Sequence, residues 1–188
     1  KNIDNIGSFH FEWNYETIEH YLYNKQYRKL NKKDIHKKTA FNAACEFYPE
    51  LITQLLEIKK IKFNSQDIAG NTGFIIACEF QPELAKKMLK KDNIDFNIQN
   101  KKGNTGFHKA CIFNPSLAKI MLKQNNNNID CFLANIYKKP LVFSFRSYED
   151  DIEKYFKEFY DFLCPEFNNF KNFSDIKNQV KKNEESKM

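Results

Sequence analysis

Four histidines and five cysteines are the residues of this chain that could do chemistry, either by holding a metal or by pairing an imidazole with a thiol nucleophile. The histidines are His10, His20, His36 and His108. They share no metal-ligand spacing with one another or with a cysteine. His108 and Cys111 stand three residues apart, where one helix face would bring base and thiol together. Against that pairing, Cys45 and Cys78 fill the same slot as Cys111 with no histidine beside them. No glycine-rich phosphate loop, nucleophile elbow or paired-carboxylate motif appears. The chain therefore reads as a non-enzyme that carries no cofactor and no metal.

The shared cysteine slot exposes the organisation behind it. Lys38-Thr39-Ala40-Phe41-Asn42-Ala43-Ala44-Cys45, Asn71-Thr72-Gly73-Phe74-Ile75-Ile76-Ala77-Cys78 and Asn104-Thr105-Gly106-Phe107-His108-Lys109-Ala110-Cys111 align without gaps. The threonines fall at 39, 72 and 105, a step of 33 residues both times. The same step relates Phe47, Phe80 and Phe113, then Pro49, Pro82 and Pro115, then Leu51, Leu84 and Leu117, then Leu56, Leu89 and Leu122. Upstream, Leu30-Asn31, Phe63-Asn64 and Phe96-Asn97 obey it as well. A fixed period near this length is the mark of a stacked repeat array.

The step also settles the cysteines. Equivalent positions in neighbouring units are expected about 10 Å apart, beyond the Cα separation of about 7 Å that a disulfide tolerates. Cys45, Cys78 and Cys111 thus read as small buried apolar residues, and Cys131 and Cys164 as isolated. That usage fits a reducing compartment, intracellular and cytoplasmic or nuclear.

Each unit is legible from local chemistry. In residues 63–96, Asp67 to Asn71 form a turn, with Gly70 where a positive φ is needed. Thr72 N-caps a short helix through its hydroxyl. Pro82 opens a second helix at the position where a missing N–H is harmless, and Glu83 favours its positive end. Leu84, Ala85, Met88 and Leu89 then recur at helical spacing. Neither helix can bury its apolar stripe alone, so neighbouring units must stack.

These residues resemble the ankyrin repeat, whose pattern is Asp-x-x-Gly-x-Thr-Pro-Leu-His-x-Ala. Asp67, Gly70, Thr72, Phe74 and Ala77 match it, as do Gly103, Thr105, Phe107, His108 and Ala110, with Asn100 in the Asp position. The first unit keeps Asp34, Thr39, Phe41 and Ala44 but has Lys37 where glycine belongs. Ala40, Gly73 and Gly106 replace the proline after threonine, and Pro49, Pro82 and Pro115 stand where the family has an inter-helix glycine. The resemblance implies an all-α ankyrin-type helical solenoid with short hairpin loops, three full repeats and degenerate capping repeats. It also implies that His108 fixes the hairpin.

Residues 1–163 are read as the array: a degenerate first repeat at 1–29, full repeats at 30–62, 63–95 and 96–129, and a C-terminal cap at 130–163. In the first of these, Tyr15 to about Tyr27 is expected to be helical, with Ile18, Leu22 and Tyr23 in the register of Leu51, Leu55 and Leu56. Residues 164–188 read as a polar, partly mobile C-terminal extension. The chain opens on Lys1 and not on Met, so a longer protein is expected, in which this segment could serve a regulatory or targeting role beside an enzyme or channel.

The net charge of +6 is spread along the chain. That favours solubility and gives no sign of a specific nucleic-acid site. No apolar run is long enough to span a membrane. The expected function is non-catalytic binding of a protein or peptide. The resemblance puts recognition on the concave face of hairpin tips and first helices. There the hairpins would present His36 and Lys38, then Ile68, Ala69 and Asn71, then Lys101, Lys102 and Asn104. The helices would present Glu46 and Phe47, Glu79 and Phe80, and Ile112 and Phe113. Two readings of the phenylalanines stay open: an aromatic ladder that anchors a partner, or rings that only cover the nearby prolines and each other. Lys101 and Lys102 likewise read either as a dock for an acidic partner or as a solvated edge.

Overall fold

A threonine starts every first helix. Thr39, Thr72 and Thr105 sit in extended backbone, and each hydroxyl accepts from the backbone N–H three residues on, in Asn42, Ile75 and His108. The structure, a computed structural model, describes residues 11–123 and residue 129. Within them lie α1 (Tyr15–Tyr23), α2 (Ala40–Phe47), α3 (Pro49–Leu56), α4 (Gly73–Phe80), α5 (Pro82–Met88), α6 (Gly106–Phe113) and α7 (Pro115–Lys123). Among the described residues there are seven α-helices and no strand, as an all-α repeat solenoid requires. Residues 1–10 of the degenerate first repeat, the cap at 130–163 and the extension at 164–188 lie outside the described residues.

One residue links the two helices of each unit: Tyr48, Gln81 or Asn114. All three keep negative φ, between −132° and −144°. A left-handed glycine is therefore not needed, and the following proline, which disfavours α geometry in its predecessor, sets the break. Helices α2, α4 and α6 pack in one row, and α3, α5 and α7 in a second against it. The core between the rows holds Phe41, Phe74, Phe107, Ile52, Leu55, Met88, Leu117 and Met121, all essentially inaccessible.

The replaced proline has a packing cause. A β-carbon on Gly73 would stand 2.5 Å from Phe41 Cε1 and 3.0 Å from Cys45 Sγ. One on Gly106 would stand 2.5 Å from Phe74 Cδ1 and 3.2 Å from Cys78 Sγ. The phenylalanine that replaces leucine in one repeat occupies the room that a proline would take in the next. The same rings meet Phe63 and Phe96 edge-on, with centroids 4.8 and 4.7 Å apart.

Asparagines clamp the repeats from the loop side. Asn31 Nδ2 donates to Lys60 O and its Oδ1 accepts from Lys62 N, both at 2.8 Å. Asn64 makes the same pair to Asn93 O and Asp95 N. The recurrence of asparagine at 31 and 64 thus reflects one loop held on the next.

The first helix corrects two expectations. It ends at Tyr23 and does not run on to Tyr27. Lys25 takes φ of +54°, Lys25 N donates to Leu22 O and Gln26 N donates to Tyr21 O, which closes the helix in a Schellman turn. Ile18 and Leu22 are buried as expected, but Tyr23 is 85% exposed and Tyr21 is buried in its place. Lys25 and Lys37 occupy left-handed geometry that glycine adopts without strain. Lys25→Gly and Lys37→Gly are each expected to raise the unfolding free energy by roughly 0.5–1 kcal/mol in urea titrations, the relief of strain exceeding the added chain entropy.

Candidate partner-binding face

Three turns build the tips of the hairpins. Asp34 Oδ1 accepts from His36 N and Lys38 N, Asp67 Oδ1 from Ala69 N and Asn71 N, and Asn100 Oδ1 from Lys102 N and Asn104 N. Asparagine can take the aspartate position because only an acceptor oxygen is used. The residue before the turn closes has positive φ in each case: Lys37 at 57°, Gly70 at 82° and Gly103 at 72°. Backbone bonds then tie tip to tip, Ile68 N to His36 O at 2.8 Å and Lys101 N to Ala69 O at 3.0 Å. A β-carbon on Gly70 would stand 2.7 Å from Lys101 N. The tips therefore form one continuous edge.

Along that edge His36, Ile68, Ala69, Lys101 and Lys102 are exposed, and Lys38, Asn71 and Asn104 are half-buried. His36 Nε2 lies 3.1 Å from Glu12 Oε1. Asn71 Oδ1 accepts from Asn100 Nδ2 at 2.8 Å. At the ends of the first helices Phe47, Phe80 and Phe113 are 56, 55 and 50% exposed. Ile112 is half-buried beside Phe113.

The two glutamates of this face are ion-paired. Lys38 Nζ lies 2.7 Å from a Glu46 carboxylate oxygen and 5.0 Å from the Phe47 ring centre. Lys109 Nζ lies 2.6 Å from Glu79, in the preceding repeat, and 5.2 Å from the Phe113 ring centre. Each lysine so braces a carboxylate and lies over an aromatic face. Lys109 and Ile35 escaped the reading of the sequence. The signal for Lys109 was present: the same position is buried Ala43 and Ile76 in the earlier repeats. Ile35, 42% exposed, is the equivalent of Ile68 one step earlier.

His108 and the cysteines are built into the frame. His108 Nδ1 accepts from Thr105 N at 3.1 Å and completes a capping box that Asn42 forms with Thr39 in the first repeat. Cys45, Cys78 and Cys111 are buried, and Cys45 and Cys78 are free. Burial pushes the Cys45 and Cys78 thiols well above the ordinary range. The native fold holds them protonated, so their contribution is intact below the unfolded thiol pKa of about 8.5 and is lost as pH rises beyond it. Urea midpoints are expected to fall above that pH, and less so in Cys45→Ala/Cys78→Ala. A thiol reagent should leave both cysteines unmodified until the protein unfolds. Among the described residues, no three His, Cys, Asp or Glu side chains gather as a metal site, and no helix is long and apolar enough to cross a membrane.

Paired helices stacked in two rows, with turns tied along one edge, define the class: a helical repeat array with an open face. Residues 41–133 match the family model for ankyrin repeats, in three copies. Through this segment the chain belongs to the ankyrin-repeat family, whose members are in general protein–protein interaction modules and typically non-catalytic. No curated protein matches the chain.

Proposed function

We propose that the array is a non-catalytic module that grips a protein partner on the face made by the hairpin tips and first helices. Phe47, Phe80 and Phe113 are its anchors. One observation carries this reading. The repeat-register phenylalanines 41, 63, 74, 96 and 107 are all buried, while these three stay about half exposed in a row. Large rigid aromatics left in register on a surface are characteristic anchors for a partner. Lys101 and Lys102, exposed at the third tip, give the face a positive end suited to an acidic segment of that partner. The free buried thiols support an intracellular setting, cytoplasmic or nuclear.

The test begins with capture of the partner on the folded array and its identification. Titration of that partner against Lys101→Glu/Lys102→Glu should then show affinity reduced about tenfold at low salt, with the salt dependence flattened. Affinity and salt response equal to those of the unaltered protein would remove the acidic dock from the proposal.

A further inference from the structure

At one end of the array the loops carry a cluster of positive charge away from the hairpin face. Lys25, Gln26, Tyr27, Arg28 and Lys29, which follow α1, surround a pocket of about 270 Å³ with Lys60 from the next repeat. Four of the six lining residues are cationic and none is acidic. Lys25, Arg28 and Lys60 are exposed and make no ion pair among the described residues. Lys29 lies with its Nζ 5.3 Å from the centre of the Tyr21 ring.

This charge is carried by two adjacent copies of the loop and is lost in the third. The loop of residues 25–29 corresponds to 58–62 and 91–95. The second copy has Lys59, Lys60 and Lys62, but the third has Asp92 and Asp95, and its Lys91 is paired with Glu57 at 2.9 Å. Arg28 is the sharpest departure. Its equivalents, Ile61 and Ile94, are buried, whereas Arg28 stands in solvent. A position that the other repeats use for packing has here been given to a cation.

The two arms of the pocket are also held together. Asn31 bonds both Lys60 O and Lys62 N at 2.8 Å, and the Schellman turn at Lys25 fixes the other wall. Like charges fixed in one concavity repel, and a multiply charged anion relieves the repulsion. A water takes roughly 30 Å³, so the volume admits a group several times that size. We propose that this pocket binds a group bearing two or more phosphates, with Lys25, Arg28, Lys29 and Lys60 as its ligands. The chemistry is shared by soluble polyphosphorylated molecules and by phosphorylated lipid headgroups.

The test uses the full chain with inorganic pyrophosphate, inositol hexakisphosphate, and phosphatidylcholine vesicles with or without phosphatidylinositol bisphosphate. Saturable one-to-one binding is expected for at least one phosphorylated probe, weakened at least tenfold in Lys25→Gln/Arg28→Gln/Lys60→Gln. Lys87→Gln/Lys90→Gln, elsewhere on the surface, should bind as the unaltered protein does. Arg28→Ile installs the later repeats' own residue, so it should keep the thermal midpoint while still weakening binding. Binding of the soluble probes without vesicle enrichment assigns a free ligand, and enrichment on the doped vesicles assigns a headgroup. No saturable binding would overturn the site. So would equal loss in both multiple variants, or equal affinity for single-stranded RNA of matched charge, since either result means diffuse attraction to polyanions.

Discussion

Gly73→Ala is expected to lower the unfolding free energy by about 2–3 kcal/mol, an unusually large loss for adding one methyl group to a helix start. In most helices the change would be neutral or helpful, because alanine is the better helix former. Here the new β-carbon would sit 2.5 Å from the Phe41 ring, which is itself fully buried and pinned against Phe63. The cause can be isolated. Phe41→Leu alone should cost roughly 1–1.5 kcal/mol through lost ring packing. In that background Gly73→Ala should become nearly harmless, leaving a coupling of about 2 kcal/mol or more in the double-mutant cycle. Strict additivity in urea titrations would show that the ring is not what excludes a side chain at 73. The same cycle on Phe74 and Gly106 should give the same sign, because the 2.5 Å approach recurs there.

That coupling also shows where reading the chain stops short. The threonine caps and the prolines that open α3, α5 and α7 were legible, since each depends on residues a few positions apart, and the buried cysteine slot was legible from the 33-residue step. The departures from the family pattern at Gly73 and Gly106 were visible as letters, but their reason lies one repeat upstream, in Phe41 and Phe74. Lys109 was hidden for the same reason: its carboxylate partner Glu79 belongs to the neighbouring repeat. The end of α1 was misplaced because Lys25 looks like a helix former, and only its positive φ reveals the turn. On the candidate face, the register identified which residues lie along the edge. It gave no means of telling an exposed Phe80 from a buried Phe74 beyond their places in the helix.

The second large effect concerns that face. Removing all three exposed rings in Phe47→Ala/Phe80→Ala/Phe113→Ala should weaken partner binding by about 100-fold or more, the scale of losing an aromatic anchor cluster. Folding should change little, because each ring is already half in water, and only Phe47 and Phe113 give up a cation–aromatic contact, with Lys38 and Lys109. Calorimetric titration of the captured partner against this triple variant, with the urea midpoint measured alongside, is the most direct trial of the account. Affinity falling by two orders of magnitude while the midpoint holds would place recognition on the aromatic row. Undiminished affinity in a folded variant would contradict it, and recognition would then have to be sought on another surface.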